Sequence, residues 1–262
     1  MSVASGPNVY TTGLVYLLDP TLFDGTTTDI VNSKPTGSTW TLYNYTAGTS
    51  SSLTTLQSNC GSNGAGTSYI TVSRNSALET GSITFQIWYN LENITLNSGV
   101  NNNWRGLLCT ADSGTAGSPL TLVQEEGYDI NFSTTHTDGY RRFLNSAFSP
   151  VVADATGWQC VTYCYDQATG IASCYKNDTL IRSGPMTTDT IGSSPTAAGT
   201  ALSYTNYQAS GFRIYGGNNT AADPNGNGIL PGEVGNILFY NVALTQAQVT
   251  QNFNAYRGRF GL

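Results

Sequence analysis

The sequence predicts an all-β domain, a two-sheet antiparallel jelly-roll sandwich with one short C-terminal helix. The strand-forming residues Thr, Tyr, Val, Ile, Phe and Trp are plentiful, while only 10% of the residues are charged, which disfavours long charged helices. The 29 glycines and the many Asn and Ser residues supply the frequent turns that short strands require. Only the C-terminal end changes from alternating to helical spacing of apolar residues.

The chain is expected to form one domain, because all-β sandwiches of this size are common as single units. We assign residues 1–12 to an N-terminal arm and residues 13–262 to a single jelly-roll domain, since the first apolar run begins at Gly13. The net charge of −6 offers no basic surface for nucleic acid, so nucleic-acid binding is not expected. No apolar run approaches the roughly 18 residues of a membrane span, and none is expected.

The strands are predicted from alternating or short apolar patterns bounded by turn residues. Residues 82–90 alternate best and place Ile83, Phe85, Ile87 and Tyr89 on one face. Residues 47–67 are rich in Ser, Thr, Gly and Asn and predict a long surface loop. The other predicted strands cover residues 13–19, 38–45, 106–110, 120–125, 128–133, 140–144, 157–165, 171–176, 179–182, 211–215 and 236–240.

The C-terminal segment predicts an amphipathic helix. Val249, Phe253 and Tyr256 follow the i, i+4, i+7 spacing of one helix face. Thr245 can cap the first turn while Gln248 reaches back to it, which is the pattern of a capping box.

Several segments together carry a family resemblance. They are residues 13–20, Trp40, residues 69–72, 83–89, 158–166 and 174–178, and the closing stretch 235–261. These segments resemble the laminin-G-like, concanavalin-A-like jelly-roll domains of structural proteins of tailed bacteriophages. The resemblance spans nearly the whole chain, and the closing strand, helix and Arg-Gly-Arg-Phe-Gly sequence are its most specific part.

The resemblance implies a structural protein of the virion, such as a head decoration, neck or tail appendage, made in the host cytoplasm. Its partners would be other capsid or tail proteins, and the cyclic symmetry of such assemblies favours a homo-oligomer, with a trimer expected by analogy. Synthesis in a reducing compartment agrees with five scattered cysteines, which we expect to be reduced and buried. The alternative function is a glycan-binding adhesin that attaches to a host surface glycan.

One polar segment has part of the pattern of a calcium loop. Asp223, Asn225 and Asn227 occupy positions 1, 3 and 5, with glycine at position 6, and the carbonyl of Ile229 would be position 7. Glu233 falls at position 11 rather than 12. Calcium is therefore the one cofactor that the sequence suggests, and a polar Asn-Gly turn without metal is the alternative.

A second candidate site combines Asn103, Trp104 and Arg105. The tryptophan follows a run of asparagines and precedes the arginine, so an indole ring and hydrogen-bonding groups could meet a sugar on one loop. The alternative is that Trp104 anchors the core, as is expected of the other three tryptophans.

A polysaccharide hydrolase is the third hypothesis. Glu125 and Asp129 would share one face of a strand, but Gly127 stands where retaining glucanases of related jelly rolls need a further carboxylate. His136 is the only histidine; its polar surroundings predict a surface position, without the partners of a catalytic triad. The sequence therefore predicts a protein without enzymatic activity.

Overall fold

The computed structural model describes residues 8–22, 29–31, 39–43, 45–50, 53–58, 69–91, 105–110, 121–124, 130–144, 157–188, 195–204, 212–214 and 232–262. Within these ranges the chain forms two antiparallel sheets of eight strands each and one α-helix near the C-terminus. The predicted two-sheet jelly-roll sandwich with a short C-terminal helix is confirmed.

The strands are numbered in chain order. The first sheet runs β14 (Thr179–Pro185), β13 (Ile171–Lys176), β12 (Gly157–Asp166), β7 (Ile83–Leu91), β16 (Gly232–Tyr240), β5 (Leu53–Ser58) and β4 (Tyr45–Ser50), with β1 (Leu14–Leu18) also paired to β16. The second sheet runs β11 (Arg141–Phe143), β10 (Ile130–Thr135), β9 (Thr121–Gln124), β8 (Arg105–Thr110), β15 (Phe212–Ile214), β6 (Tyr69–Val72), β3 (Thr39–Tyr43) and β2 (Asp29–Val31).

The main core lies between the two sheets. Phe132 of the second sheet stacks on Tyr163 of the first with ring centroids 4.7 Å apart, and Phe212 stacks on Phe239 at 5.2 Å. The alternate side chains of β7 that the sequence placed on one face all belong to this core. Full burial of each such side chain contributes about 1.5–3 kcal/mol through the area removed from water.

A second apolar layer covers the outer face of the first sheet. The helix α1 (Gln246–Tyr256) begins at Thr245 with the predicted capping box. The indole of Trp88 stacks on Phe253 at 5.4 Å and on Phe260 at 4.6 Å, and Trp158 lies 4.5 Å from Phe260. Both faces of the central strands are therefore buried, which explains why β12 is buried along almost its whole length.

The described part of the N-terminal arm lies against this helix. The backbone N–H of Tyr10 donates to Asn252 Oδ1 at 2.8 Å, and the Tyr240 hydroxyl donates to the Tyr10 carbonyl at 2.9 Å. The Asn252 amide in turn donates to the Tyr240 hydroxyl at 2.9 Å. Near the C-terminus, the Arg259 guanidinium forms an ion pair with the Asp19 carboxylate at 2.9 Å, which links the segment after α1 to the residue that follows β1. The assignment of 1–12 as an arm stays a prediction.

The predicted long loop at residues 47–67 is wrong in its first part. Residues 45–50 and 53–58 form β4 and β5, which pair with each other, and β5 also pairs with β16. Thr is β-branched and suits a strand, but its alternation with Ser and Gly lacks the apolar signal that identifies strands in sequence.

None of the helices in the described ranges has the length and apolar character needed to cross a bilayer.

Candidate functional site

One end of the sandwich brings together three described segments, which we call the turn end: residues 136–140, 167–170 and 195–204. The Thr137 N–H donates to the Ala201 carbonyl at 2.9 Å, which joins the third segment to the first. The Gly199 N–H donates to the Gln167 carbonyl at 2.7 Å, which joins it to the second. Backbone hydrogen bonds thus fix the three segments relative to one another.

The turn between β10 and β11 is held in one conformation. The His136 N–H donates to the Tyr140 carbonyl at 3.0 Å, and the Gly139 N–H donates to the His136 carbonyl at 2.9 Å. Gly139 has a φ of +86°, which glycine adopts without strain. The Asp138 carboxylate accepts the Tyr140 N–H at 3.2 Å, as in an Asx turn.

Tyr140 stands on this turn as an exposed aromatic ring. It is 53% exposed, more than any other large apolar side chain in the described ranges. The guanidinium of Arg142 lies 5.3 Å from the ring centroid, within the range of a cation–π contact. Arg142 is only 4% exposed and also donates to both oxygens of Asp138. The ring is therefore supported by a buried, paired cation.

Asp138 places an ionised carboxylate beside that ring. The hydrogen bonds from Arg142 hold the pKa of Asp138 below its usual range, against the opposing effect of partial burial. The side chain of Asp138 remains 39% exposed, so it can still accept hydrogen bonds from a ligand. A flat aromatic surface and an anionic acceptor on a rigid turn are suited to bind a sugar ring by stacking and by hydrogen bonds to its hydroxyls.

The predicted surface position of His136 is wrong. The side chain is 1% exposed, because residue 136 bridges to Leu202 and the segment 195–204 covers it. Its Nε2 hydrogen-bonds with Thr134 Oγ1 at 2.7 Å, and its ring meets the Tyr165 ring edge-on at 5.0 Å. Burial, assisted by the charge of Arg142, lowers the pKa of His136 to about 4. The imidazole is neutral at physiological pH.

A cleft of about 440 Å³ opens beside the second segment of the turn end, between the β12–β13 turn and the start of α1. Its polar lining consists of Ser82, Asp166, Thr169, Ser173 and Thr245. Cys164 lies at its floor and is 4% exposed. Burial raises the pKa of the Cys164 thiol to about 11, so it stays protonated and contributes apolar surface rather than a nucleophile.

Most residues of the predicted calcium loop lie outside the described ranges, namely Asp223, Asn225, Asn227 and Ile229. Glu233 lies within β16, where it accepts a hydrogen bond from Asn90 Nδ2 at 3.1 Å. Among the described residues, no group of three or more His, Cys, Asp or Glu side chains is placed to hold a metal ion. The calcium site stays a prediction.

The other predicted sites also fall largely outside these ranges. Asn103 and Trp104 are not among the described residues, and Arg105 begins β8. Glu125 and Asp129 of the hydrolase hypothesis are outside as well. The described free thiols of Cys160, Cys164 and Cys174 are buried, as predicted.

Sequence reasoning did not find the site formed by Asp138, Tyr140 and Arg142. A signal was present, because the Asp-Gly pair at 138–139 between two strand patterns predicts a hairpin turn. An aromatic residue directly after such a turn is at the surface unless another segment covers it. Neither the exposure of Tyr140 nor its contact with Arg142 could be inferred from that signal alone.

Comparison with solved structures supports the fold assignment. No family model and no curated protein matches the chain. The binding domain of Paraclostridial mosquitocidal protein 1 is similar, with a TM-score of 0.57 and 14% identity over 93% of this chain and 52% of that one. The binding domain of botulinum neurotoxin DC in complex with SialylT has a TM-score of 0.55 and 12% identity over 93% and 51%. This chain thus spans about half the length of these toxin domains.

Trypanosoma rangeli sialidase in complex with the inhibitor DANA is also similar, with a TM-score of 0.56 and 14% identity over 97% of this chain and 34% of that one. The prediction of a protein without enzymatic activity is therefore corrected. That prediction rested on the carboxylate missing at Gly127 and on the absence of triad partners for His136, whereas sialidases share this fold at 13–14% identity. Identities this low show a shared fold alone.

Proposed function

We propose that this chain is a glycan-binding domain and that the turn end forms its binding site, with Tyr140 as the stacking platform. The observation that carries the proposal is the exposed Tyr140 ring, fixed over Arg142 and beside the ionised Asp138. A sugar ring has apolar C–H groups on its face and hydroxyls at its rim. The C–H face of the sugar would stack on the Tyr140 ring, and a sugar hydroxyl would donate a hydrogen bond to the Asp138 carboxylate.

The rigidity of this turn supports the proposal. Binding costs conformational entropy whenever side chains or loops must be ordered at the interface. Here the turn is closed by backbone hydrogen bonds, and Arg142 is buried and paired before any ligand arrives. A sugar would therefore meet a ring and a carboxylate that are already in position.

The structural neighbours add independent support for this class of ligand. One is a toxin binding domain in complex with SialylT, and another is a sialidase in complex with sialic acid. Those ligands belong to those proteins. Together with the exposed platform, they support carbohydrate as the ligand class to test first.

The test is a glycan array followed by calorimetric titration of the best ligand against Tyr140→Ala. A tyrosine has about 200 Å² of surface, of which 53% is exposed here. If a stacked sugar covers about half of that exposed area, about 50 Å² at about 25 cal/mol/Å² gives about 1.3 kcal/mol. We expect Tyr140→Ala to weaken binding about tenfold.

Two control variants sharpen this test. Tyr140→Phe keeps the ring and its stacking surface, so we expect it to retain binding within about threefold, which corresponds to about 0.65 kcal/mol. Leu180→Ala removes a comparably exposed apolar side chain, 46% exposed, from the edge strand β14 and is expected to change nothing. Equal binding by wild type and Tyr140→Ala, or equal loss in Leu180→Ala, would overturn the proposal.

A finer part of the proposal concerns the setting in which this domain works. The resemblance of residues 13–20 and 235–261 to domains of tailed-phage structural proteins supports a role on a virion, where the site would attach the particle to a host surface glycan. Antibody labelling of purified particles in the electron microscope tests it. Particles that lack the protein would count against the virion role and leave the glycan site itself unaffected.

A further inference from the structure

We infer that the cleft between the β12–β13 turn and the start of α1 is a second sugar subsite and that it selects a neutral monosaccharide ring over an acidic one. This inference rests on the proposed function for the class of ligand, and on the cleft's own chemistry for the choice within that class. The cleft volume of about 440 Å³ lies in the range of small-ligand sites.

Two hydroxyl groups of the cleft, those of Ser82 and Thr245, can each donate a hydrogen bond to a ligand. Ser82 Oγ accepts the Gln167 N–H at 2.9 Å, and Thr245 Oγ1 accepts the Gln248 N–H at 3.4 Å. In each case the oxygen is used as an acceptor by the backbone, so the hydroxyl hydrogen remains available to a ligand. The cleft lining therefore offers two O–H donors, one just before β7 and one at the start of the helix.

The Asp166 carboxylate provides acceptors on the same rim. Its Oδ1 accepts the Ala168 N–H at 3.1 Å, and its Oδ2 accepts the Thr169 hydroxyl at 2.8 Å. A carboxylate has about four lone-pair positions, so about two remain for a ligand. A sugar hydroxyl can both donate and accept, and it matches a rim that presents donors and acceptors together.

The same carboxylate disfavours an acidic ligand. In the described part of the cleft lining, Asp166 is the only charged side chain, and no Arg or Lys is present to balance a second negative charge. A sugar carboxylate placed among these groups would face Asp166, and such like-charge contacts reduce affinity. The floor is apolar, with Val242 and Leu244 beside the protonated Cys164, and suits the C–H face of a ring.

The cleft is separate from the Tyr140 platform in the residues that it uses. Its lining shares no residue with the group formed by Asp138, Tyr140 and Arg142. Both lie at the same end of the sandwich, because Gln167 hydrogen-bonds both to Ser82 of the cleft and to the segment 195–204 that contacts the β10–β11 turn.

The test measures monosaccharide binding by saturation-transfer NMR on the full chain. Methyl glycosides of neutral hexoses and of sialic acid are titrated against wild type and three variants. Ala243→Phe places a ring into the cleft lining, and Ala247→Phe adds the same ring at an exposed helix position outside it. Tyr140→Ala removes the other platform. Thermal melting of each variant verifies folding.

We expect wild type to bind at least one neutral hexose at least tenfold more tightly than sialic acid. Ala243→Phe should weaken this binding at least tenfold while Ala247→Phe leaves it unchanged, and the same contrast is expected when each change is combined with Tyr140→Ala. Absence of neutral-hexose binding by wild type would overturn the inference. Binding that is lost in Tyr140→Ala but retained in Ala243→Phe would also overturn it, while supporting the proposed function.

A charge variant tests the selectivity and covers the case in which Ala243→Phe does not fold. Asp166→Asn keeps an oxygen acceptor for the Ala168 N–H and removes the negative charge. We expect the preference for neutral hexose over sialic acid to fall at least threefold in this variant. An unchanged preference would show that Asp166 does not face the ligand and would overturn the inference.

Discussion

Lowering the pH from 7.5 to 5 is expected to destabilise the protein through His136. The ring is buried between β10 and the segment 195–204, and it faces Thr134, Tyr165 and the Asp138–Arg142 pair. Burial is the largest cause of its lowered pKa, and the positive charge of Arg142 adds to it, while Asp138 acts in the opposite direction. A proton on this ring would be a second positive charge in a site built around Arg142.

The size and sign of the effect follow from the two protonation states. The pKa of His136 falls from the ordinary 6.5 to about 4 in the folded protein. Above pH 6.5 the ring is neutral in both states, and the full stability is present. As the pH falls from 6.5 towards 4, only the unfolded chain takes up the proton, so stability is lost. By linkage the loss at pH 5 is about 2 kcal/mol, since each pKa unit is worth about 1.4 kcal/mol.

The pH window separates this effect from that of the paired carboxylates. The pKa values of Asp138 and Glu79 are lowered by their arginine partners, so their contributions are present above the ordinary values of 3.8 and 4.5. They are lost only as the pH falls below those values. Of these three groups, only His136 is expected to lose stability between pH 7.5 and 5.

Two measurements check this prediction. His136 is the only histidine in the chain, so its imidazole resonances in a ¹H–¹⁵N NMR titration are unambiguous, and we expect no protonation of the folded protein above pH 5. Urea unfolding at pH 7.5 and at pH 5 gives the free-energy difference directly. In His136→Gln, which cannot titrate, the difference should largely disappear. A folded-state pKa of 6 or above, or the same pH dependence in His136→Gln, would refute the reasoning.

Three further predictions address the rest of the fold. Phe260→Ala should lower the free energy of unfolding by about 3–5 kcal/mol, because it removes the ring that stacks on Trp88; a loss below 1 kcal/mol in urea unfolding would contradict this packing. Gly170→Ala should destabilise by about 1–3 kcal/mol, since φ is +71° and the new Cβ would lie 2.7 Å from the Ala197 carbonyl oxygen; an unchanged melting temperature would argue against it. If residues 223–233 bind calcium, adding the ion should raise the melting temperature and a chelator should reverse it; no response to either would rule out the site.

The parts of the fold that the sequence predicted correctly are those with a strong local signal. The alternation at 83–89 identified β7 and its core face, and the capping box at Thr245 identified the start of α1. The strands at 45–50 and 53–58 were missed because their sequence is dominated by Thr, Ser and Gly. They are strands because they pair with each other and because β5 also pairs with β16, and such long-range pairing leaves little trace in local composition.

The candidate site was missed for a related reason. His136 and Tyr140 lie in one polar stretch with similar neighbours, yet the first is buried and the second is the most exposed large apolar side chain in the described ranges. The difference comes from residues 195–204, about sixty positions later in the chain, which cover one side of the turn. Local sequence could indicate the turn at Asp138–Gly139 but not which of its side chains that segment would cover.

The architecture of the described part of the protein also supports the turn end as the proposed ligand site. The first sheet is covered on its inner face by the second sheet and on its outer face by α1 and Phe260, so the faces of its central strands are closed. Its edge strand β14 is exposed but carries Arg182 and Pro185 and pairs with β13 through a bulge, features that protect an edge from added strands. Turns at the ends of the sandwich can vary without disturbing either apolar layer of the first sheet, which is why we place the proposed ligand sites there. Tyr140 and the cleft beside Asp166 both lie there.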